Sequence, residues 1–213
     1  MKILLLGNSG CGKDLVAKLF DYAAIIHGIK QSFERSKAKE YITQTFDILN
    51  NKDYFAIFKI KRFAQPIKDF IHYSFDIPYE ILNSQEKNNY KINICGKKYS
   101  IRELLIKISE DFKNIYGKDI WVNRLFNDKD LNNTIITDCR FPNEFYKAKE
   151  NGFITIKIIR DEENKTDFGL NKVNEINNDD IDYIIYNNES KLSLFRKIYK
   201  IYESEYEKEI NNS

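Results

Sequence analysis

Cysteine, proline, glycine and long apolar runs are all scarce in this 213-residue chain. The three cysteines, Cys11, Cys95 and Cys139, are scattered without metal-ligand spacing, which gives no thiolate cluster to expect and suits a reduced, cytoplasmic setting. Three prolines and eight glycines, beside many Lys, Asn and Ile, look like the bias of an AT-rich genome, so composition by itself argues little. No apolar stretch approaches ~20 residues, so no membrane span is expected. Neither sign of charge dominates. Charged residues make up 31% and the formal net charge is +2, so no polyanion partner is implied and direct nucleic-acid binding is not expected. The two histidines, His27 and His72, show no partner pattern, and no Ser-His-Asp set stands out.

What is present is an alternation of strand and helix signals. Residues 2–6 form a continuous apolar run, the mark of a strand covered on both faces; it lacks the basic stretch and cleavage site of a signal peptide. A helix should start near Gly12, with Leu15, Val16, Leu19, Phe20 and Ala23 at helical spacing. Residues 30–50 are charged and helix-like, and Phe55 to Ile60 reads as a second strand. Pro66 opens a helix with Ile67, Phe70 and Ile71 on one face. Residues 83–99 read as a loop or small lobe. Ser100 and Glu103 make a capping box for a helix through about Tyr116, and Asp119 to Phe126 is a short helix. Thr134 to Thr137 is a strand ending at Asp138, and Pro142 starts a helix that stops at Gly152. Phe153 to Ile159 is a strand ending at Arg160, residues 161–180 are polar and turn-rich, and Asp182 to Tyr186 is a last strand. A helix follows from about Ser190, with residues 209–213 fraying. The pattern predicts an α/β fold: a mostly parallel, five-stranded sheet with helices on both faces, which binds ligands beyond the carboxyl ends of its strands.

The candidate chemistry gathers at those ends. GNSGCGKD, residues 7–14, follows the first strand directly: Gly7, four residues, Gly12, Lys13. Glycines let backbone N–H groups cradle phosphate oxygens at a helix N-terminus, and a lysine here reaches the outer phosphates. The next position, usually Ser or Thr, is Asp14. Asp138, ending an apolar strand, suits magnesium held through water; the alternative is a helix cap or turn aspartate. Arg140 faces the same way as Asp138 two residues earlier and could reach a phosphate, or pair with Glu144 on the following helix. Lys68 and Arg102 are cations in first helical turns, where a bound anion would offset the unfavourable dipole; Lys68 could equally be an ordinary solvated lysine. Tyr99, Tyr116 and Trp121 could stack on a base or simply fill the core. Arg160 precedes the polar stretch, a natural place for a lid and equally for a hinged loop with no function.

Taken in order, these motifs resemble those of bacteriophage deoxynucleoside monophosphate kinases, in the P-loop nucleoside monophosphate kinase group. GNSGCGKD is similar to that family's opening loop, which carries Asp after the lysine, although here Leu15 stands where Thr is usual. FAQPIKD resembles its second motif, SIRELLIKIS and YGKDIWVNRL its helix pair, TDCRFPNE with NGFITIKIIR its strand-end motif, and IDYIIYNNESKLSLF its last strand and closing helix. The family's lid carries an Asp-x-His and a Ser-Glu pair; this chain has only Asp167 and Asn174-Glu175.

The resemblance implies a P-loop kinase-like three-layer sandwich. It implies a single domain over residues 1–213, with an insertion about 29–53, an acceptor-binding lobe about 66–126 and a lid about 161–180. It implies a magnesium-dependent transferase that moves the terminal phosphate of ATP to a deoxynucleoside monophosphate. Gly7, Gly10, Cys11, Gly12, Lys13 and Asp14 would bind ATP. Lys13, Arg140 and Arg160 would be catalytic, and Asp14 and Asp138 would hold Mg2+. Lys68, Arg102, Trp121 and Arg140 would bind the acceptor. The setting would be cytoplasm, the host's if the source is viral, and a homodimer is left open. Two rivals stand beside this reading: a P-loop kinase of another small molecule, resembling dephospho-coenzyme A kinases, and a catalytically weak nucleotide-binding module.

Overall fold

The computed structural model describes residues 1–32, 56–161 and 172–212. The expected helix over 30–50, the insertion about 29–53 and the middle of the expected lid lie mostly outside the described residues. The chain divides into two compact units, one of residues 1–61 and 130–213, the other of residues 62–129.

The first unit is built on a five-stranded, all-parallel sheet with helices around it. Its strands are β1 (Lys2–Leu6), β2 (Lys59–Lys61), β5 (Thr134–Cys139), β6 (Ile154–Ile159) and β7 (Tyr183–Tyr186), in the order β2-β5-β1-β6-β7. Central β1 has neighbours on both sides, so Ile3 to Leu6 are fully buried, as a continuous apolar run requires. Helix α1 (Lys13–Ser32) follows it and buries Val16, Leu19, Phe20 and Ala23 at the expected spacing. Leu15 packs on the same core. Against α1 lies the C-terminal helix α7 (Lys191–Asn211), which buries Leu194, Phe195, Ile198, Tyr199 and Tyr202, with Tyr22 and Phe195 in ring contact at 4.9 Å. Each large apolar side chain removed from water contributes roughly 1.5–3 kcal/mol, so this seam is a main source of the unit's stability. The Ser190 hydroxyl accepts from the Ser193 N–H and caps α7. Helix α6 (Pro142–Glu150) joins β5 to β6.

The second strand starts later than its sequence suggests. Ala56, Ile57 and Phe58 are outside the strand because the Ile57 and Phe58 N–H groups both donate to Oδ1 of buried Asp21 on α1, at 2.9 and 2.8 Å. Those donors are therefore unavailable to a strand neighbour, and pairing begins at Lys59. Conversely, β5 runs past Asp138 to Cys139, and α7 holds its helical form to Asn211 rather than fraying from residue 209.

The second unit comprises α2 (Gln65–Phe75), α3 (Tyr79–Asn83), β3 (Lys91–Ile94), β4 (Lys97–Ser100), α4 (Ile101–Tyr116) and α5 (Ile120–Phe126). Ile67, Ile71, Ile77, Leu82, Ile101 and Leu104 form its core. Phe70, expected on the buried face, is exposed and lies edge-on to Phe75 and Phe112. Of the loop or small lobe expected over residues 83–99, the structure has the small lobe: a short 3-10 turn at Gln85–Asn88 leads into the antiparallel β3–β4 hairpin. Its two-residue tip, Cys95 and Gly96, has φ of 49° and 82°, the left-handed pair that matches the twist of a hairpin. The capping box is present, with the Glu103 N–H donating to the Ser100 hydroxyl and the Ser100 N–H to the Glu103 carboxylate. The Ser100 N–H and the Ser100 hydroxyl, both donating to the Glu103 carboxylate, hold that carboxyl below the ordinary range.

Candidate functional site

The chain leaves β1 toward the β2 edge and leaves neighbouring β6 toward the β7 edge, so the carboxyl ends of β1 and β6 form a topological switch point. Four segments of the first unit emerge around it. They are the glycine loop after β1, the turn after β5 with Arg140, the end of β6 with Arg160, and the turn after β7.

In the glycine loop, Gly7 has φ of 145° and a Cβ there would sit 2.4 Å from the Ile158 carbonyl oxygen and 2.8 Å from Cys11 Sγ. Gly12, at φ 103°, would place a Cβ 2.5 Å from Asn187 Nδ2. Gly7 therefore excludes a side chain by conformation and by space, and Gly12 by conformation, with the Asn187 amide lying where its Cβ would stand. Gly10, at φ 82°, has open space around it. Cys11 is fully buried and belongs to the α1 core, which anchors the loop from below. The Val16 N–H donates to the Gly12 carbonyl at 2.9 Å and starts the helix.

Lys13 turns back over this loop. Its ammonium donates to the Gly7 carbonyl at 2.8 Å and the Asn8 carbonyl at 2.7 Å, with Cys11 Sγ at 3.6 Å. These partners are neutral, so the positive charge is placed but not cancelled by them. A cation held this way at a helix N-terminus suits an anionic ligand. Asp14 is exposed on the first turn, where a carboxylate complements the helix dipole.

Beside β1, the end of β5 carries Asp138 and then Arg140, both half-buried. The turn that follows is organised by Glu144. Its carboxylate accepts from the Arg140 N–H at 2.7 Å and the Phe141 N–H at 3.1 Å, closing the first turn of α6. The contact between Arg140 and Glu144 thus includes the arginine's main chain. Burial first, and then the charge of Asp138, push the Glu144 carboxyl up to about 8, with the two N–H donors and the Arg140 charge pulling the other way. Burial likewise pushes the Cys139 thiol up, while the charge of Lys13 acts against that shift. The Arg140 carbonyl accepts from the Lys172 N–H at 2.8 Å, so the chain returns beside Arg140 after the polar stretch.

Arg160 follows β6. Next to it, the Asp161 N–H donates to Asn188 Oδ1 at 2.9 Å and Asn188 Nδ2 returns a bond to the Asp161 carboxylate at 2.6 Å. Asn187, one residue earlier, donates its main-chain N–H to the Ile159 carbonyl at 2.8 Å and its side-chain amide to the Cys11 carbonyl at 2.8 Å. Neither Asn187 nor Glu144 was singled out as a site residue from the sequence. Asn187 has the signal that selected Asp138 and Arg160, a polar residue just past an apolar strand, but lacks their charge.

Lys68, Arg102 and Trp121 belong to the second unit. Lys68 donates to Asn83 Oδ1 at 2.7 Å. Arg102 lies in the first turn of α4, behind the capping box. Trp121 packs its ring on Phe112 at 5.3 Å, and its indole N–H is buried with no hydrogen-bond partner among the described residues.

Among the described residues no three His, Cys, Asp or Glu side chains gather as a metal site, and no helix is long and apolar enough to cross a membrane. Asp14 and Asp138 supply hard oxygen donors, the type that suits magnesium, which keeps several waters and takes one or two carboxylates beside substrate phosphates. The chain matches no model of a known protein family, and no curated protein matches it.

Proposed function

We propose that this chain is a P-loop kinase-like phosphotransferase that moves the terminal phosphate of ATP to a deoxynucleoside monophosphate. The observation that carries the proposal is Lys13, held by neutral carbonyls of a glycine loop between the central strand and its helix. That is the arrangement a polyphosphate needs: backbone donors, a helix N-terminus and one mobile cation.

In this mechanism the loop from Gly7 through Gly12 to Asp14 binds the ATP phosphates. Lys13 exchanges its carbonyl contacts for phosphate oxygens and follows the charge as the terminal group transfers. The acceptor phosphate is already anionic, so no strong general base is needed. Arg140 and Arg160, at the ends of the two strands that flank β1, neutralise charge on the transferring group. Asp14 and Asp138 would hold magnesium, which supplies further charge neutralisation on the phosphates. Lys68 and Arg102 would meet the acceptor's phosphate, and Trp121 its base.

The test is ADP release from ATP and magnesium with a panel of acceptors. Release that depends on a deoxynucleoside monophosphate is the expected result. Release with dephospho-coenzyme A alone would replace this reading with the small-molecule kinase. ATP binding without acceptor-dependent ADP would replace it with a nucleotide-binding module.

A further inference from the structure

We propose that Asn187 is a positioning residue for the glycine loop, fixing the peptide between Cys11 and Gly12 so that the Gly12 N–H is aimed at a bound phosphate. The inference rests on the functional reading above for the ligand, but not for the geometry. One asparagine makes three contacts across the end of the sheet. Its main-chain N–H is tied to the Ile159 carbonyl, its side-chain amide donates to the Cys11 carbonyl, and that same nitrogen occupies the space a Gly12 side chain would need.

The amide bond to Cys11 has a directional consequence. A trans peptide is planar, with its C=O and N–H pointing in opposite directions. Holding the Cys11 carbonyl toward Asn187 therefore turns the Gly12 N–H the other way. Gly12 at φ 103° is the residue that lets the chain pass from this fixed peptide into α1. The clamp is itself well supported. Asn188 and Asp161 exchange two hydrogen bonds beside it, and Ser190 caps the helix that follows. Asn187 thus arrives at the loop from a turn held on both sides, which is what a preorganised binding site requires.

The test compares Asn187→Ala and Asn187→Asp in the full chain. The aspartate keeps the shape but removes the donor and sets a carboxylate against the Cys11 carbonyl. Two readouts are taken. One is ATP affinity, with KM and kcat separated. The other is the labelling rate of each cysteine by a thiol reagent, read by mass spectrometry. Cys11 is fully buried under the loop and reports its opening; Cys139, also buried, reports general loosening.

In both variants Cys11 labelling should accelerate and ATP affinity should fall, each by about tenfold, the effect of one lost hydrogen bond. Cys139 labelling should stay at the wild-type rate, and KM should rise by more than kcat falls. An Asn187→Asp protein that behaves like the wild type would overturn the inference, because the side chain would then only fill space. Equal acceleration at Cys11 and Cys139 would overturn it too, as would unchanged Cys11 labelling in both variants. If the wild type binds no ATP, the functional reading fails, while the labelling rates still decide whether Asn187 holds the loop. Should the alanine variant not fold, the near-isosteric aspartate carries both readouts.

Discussion

The ammonium of Lys13 donates to the carbonyl oxygen of Gly7, closing the loop between them like a clasp at 2.8 Å. The same group that would neutralise a phosphate therefore also tethers the loop before any ligand arrives. Lys13→Ala should lower acceptor-dependent ADP release by roughly two to three orders of magnitude, the scale for removing a charge-stabilising donor. The melting temperature should fall by no more than about 5 °C, since only hydrogen bonds to carbonyls are lost from the fold. Near-normal turnover in this variant would remove Lys13 from the chemistry.

Asp14 is exposed on the helix's first turn, and under the functional reading above its carboxylate would hold a hydrated magnesium ion. Asp14→Ser should raise the magnesium concentration for half-maximal turnover by about tenfold, the scale of an outer-shell ligand. A titration of activity against magnesium at saturating ATP measures it. Weaker ATP binding with an unchanged magnesium requirement would instead assign Asp14 to holding the loop.

Gly7 and Gly10 share left-handed backbones but not surroundings. Gly7→Ala drives a methyl into the Ile158 carbonyl, where backbone cannot give way, and should cost on the order of 3 kcal/mol in urea unfolding. Gly10→Ala meets nothing and should cost only the conformational penalty, about 1 kcal/mol. Equal losses for the two would contradict the close approach of the loop to β6.

Glu144 predicts a pH dependence of stability. Its folded carboxyl is raised to about 8, above the ordinary value, so the native state binds a proton that the unfolded chain has released. The stabilisation is fully present below the usual carboxyl range and is lost as pH rises toward about 8. Glu144→Gln lacks this titration. In magnesium-free buffer, its stability relative to the wild type should rise between pH 5 and 8.5 by on the order of 4 kcal/mol, about 1.4 kcal/mol for each of the three units up to a folded value of about 8. A difference that stays flat across that range would show that the N–H donors of Arg140 and Phe141 outweigh the burial.

The elements legible in the sequence are those whose cause is local. The Ile3–Leu6 run, the spacing along α1, the Ser100–Glu103 box and Pro142 at a helix start each act within a few residues, and each stands where expected. What was not legible depends on distant partners. Phe58 looks like a strand residue until Asp21, far earlier in the chain, takes its N–H. The β3–β4 hairpin turns on Cys95-Gly96 rather than the Asn-Gly or Asp-Gly that marks such a turn. Asn187 reads as a polar residue after a strand, and only the fold brings it to Cys11. The charged candidates of the first unit stand out because strand ends mark them; the neutral amide beside them carries no such mark.

The position of β1 at the centre of the sheet also sets an order of events during synthesis. Its partners are β5, beginning at Thr134, and β6, beginning at Ile154, so the first strand emerges with no neighbour to pair with. The amide that clamps the loop lies 176 residues beyond Cys11. Long-range pairing of this kind is slow and leaves apolar surface open while the rest of the chain is made. A nascent chain therefore carries β1 unpaired until residues 134–159 have been made, and the glycine loop gains its amide clamp only after Asn187 has emerged.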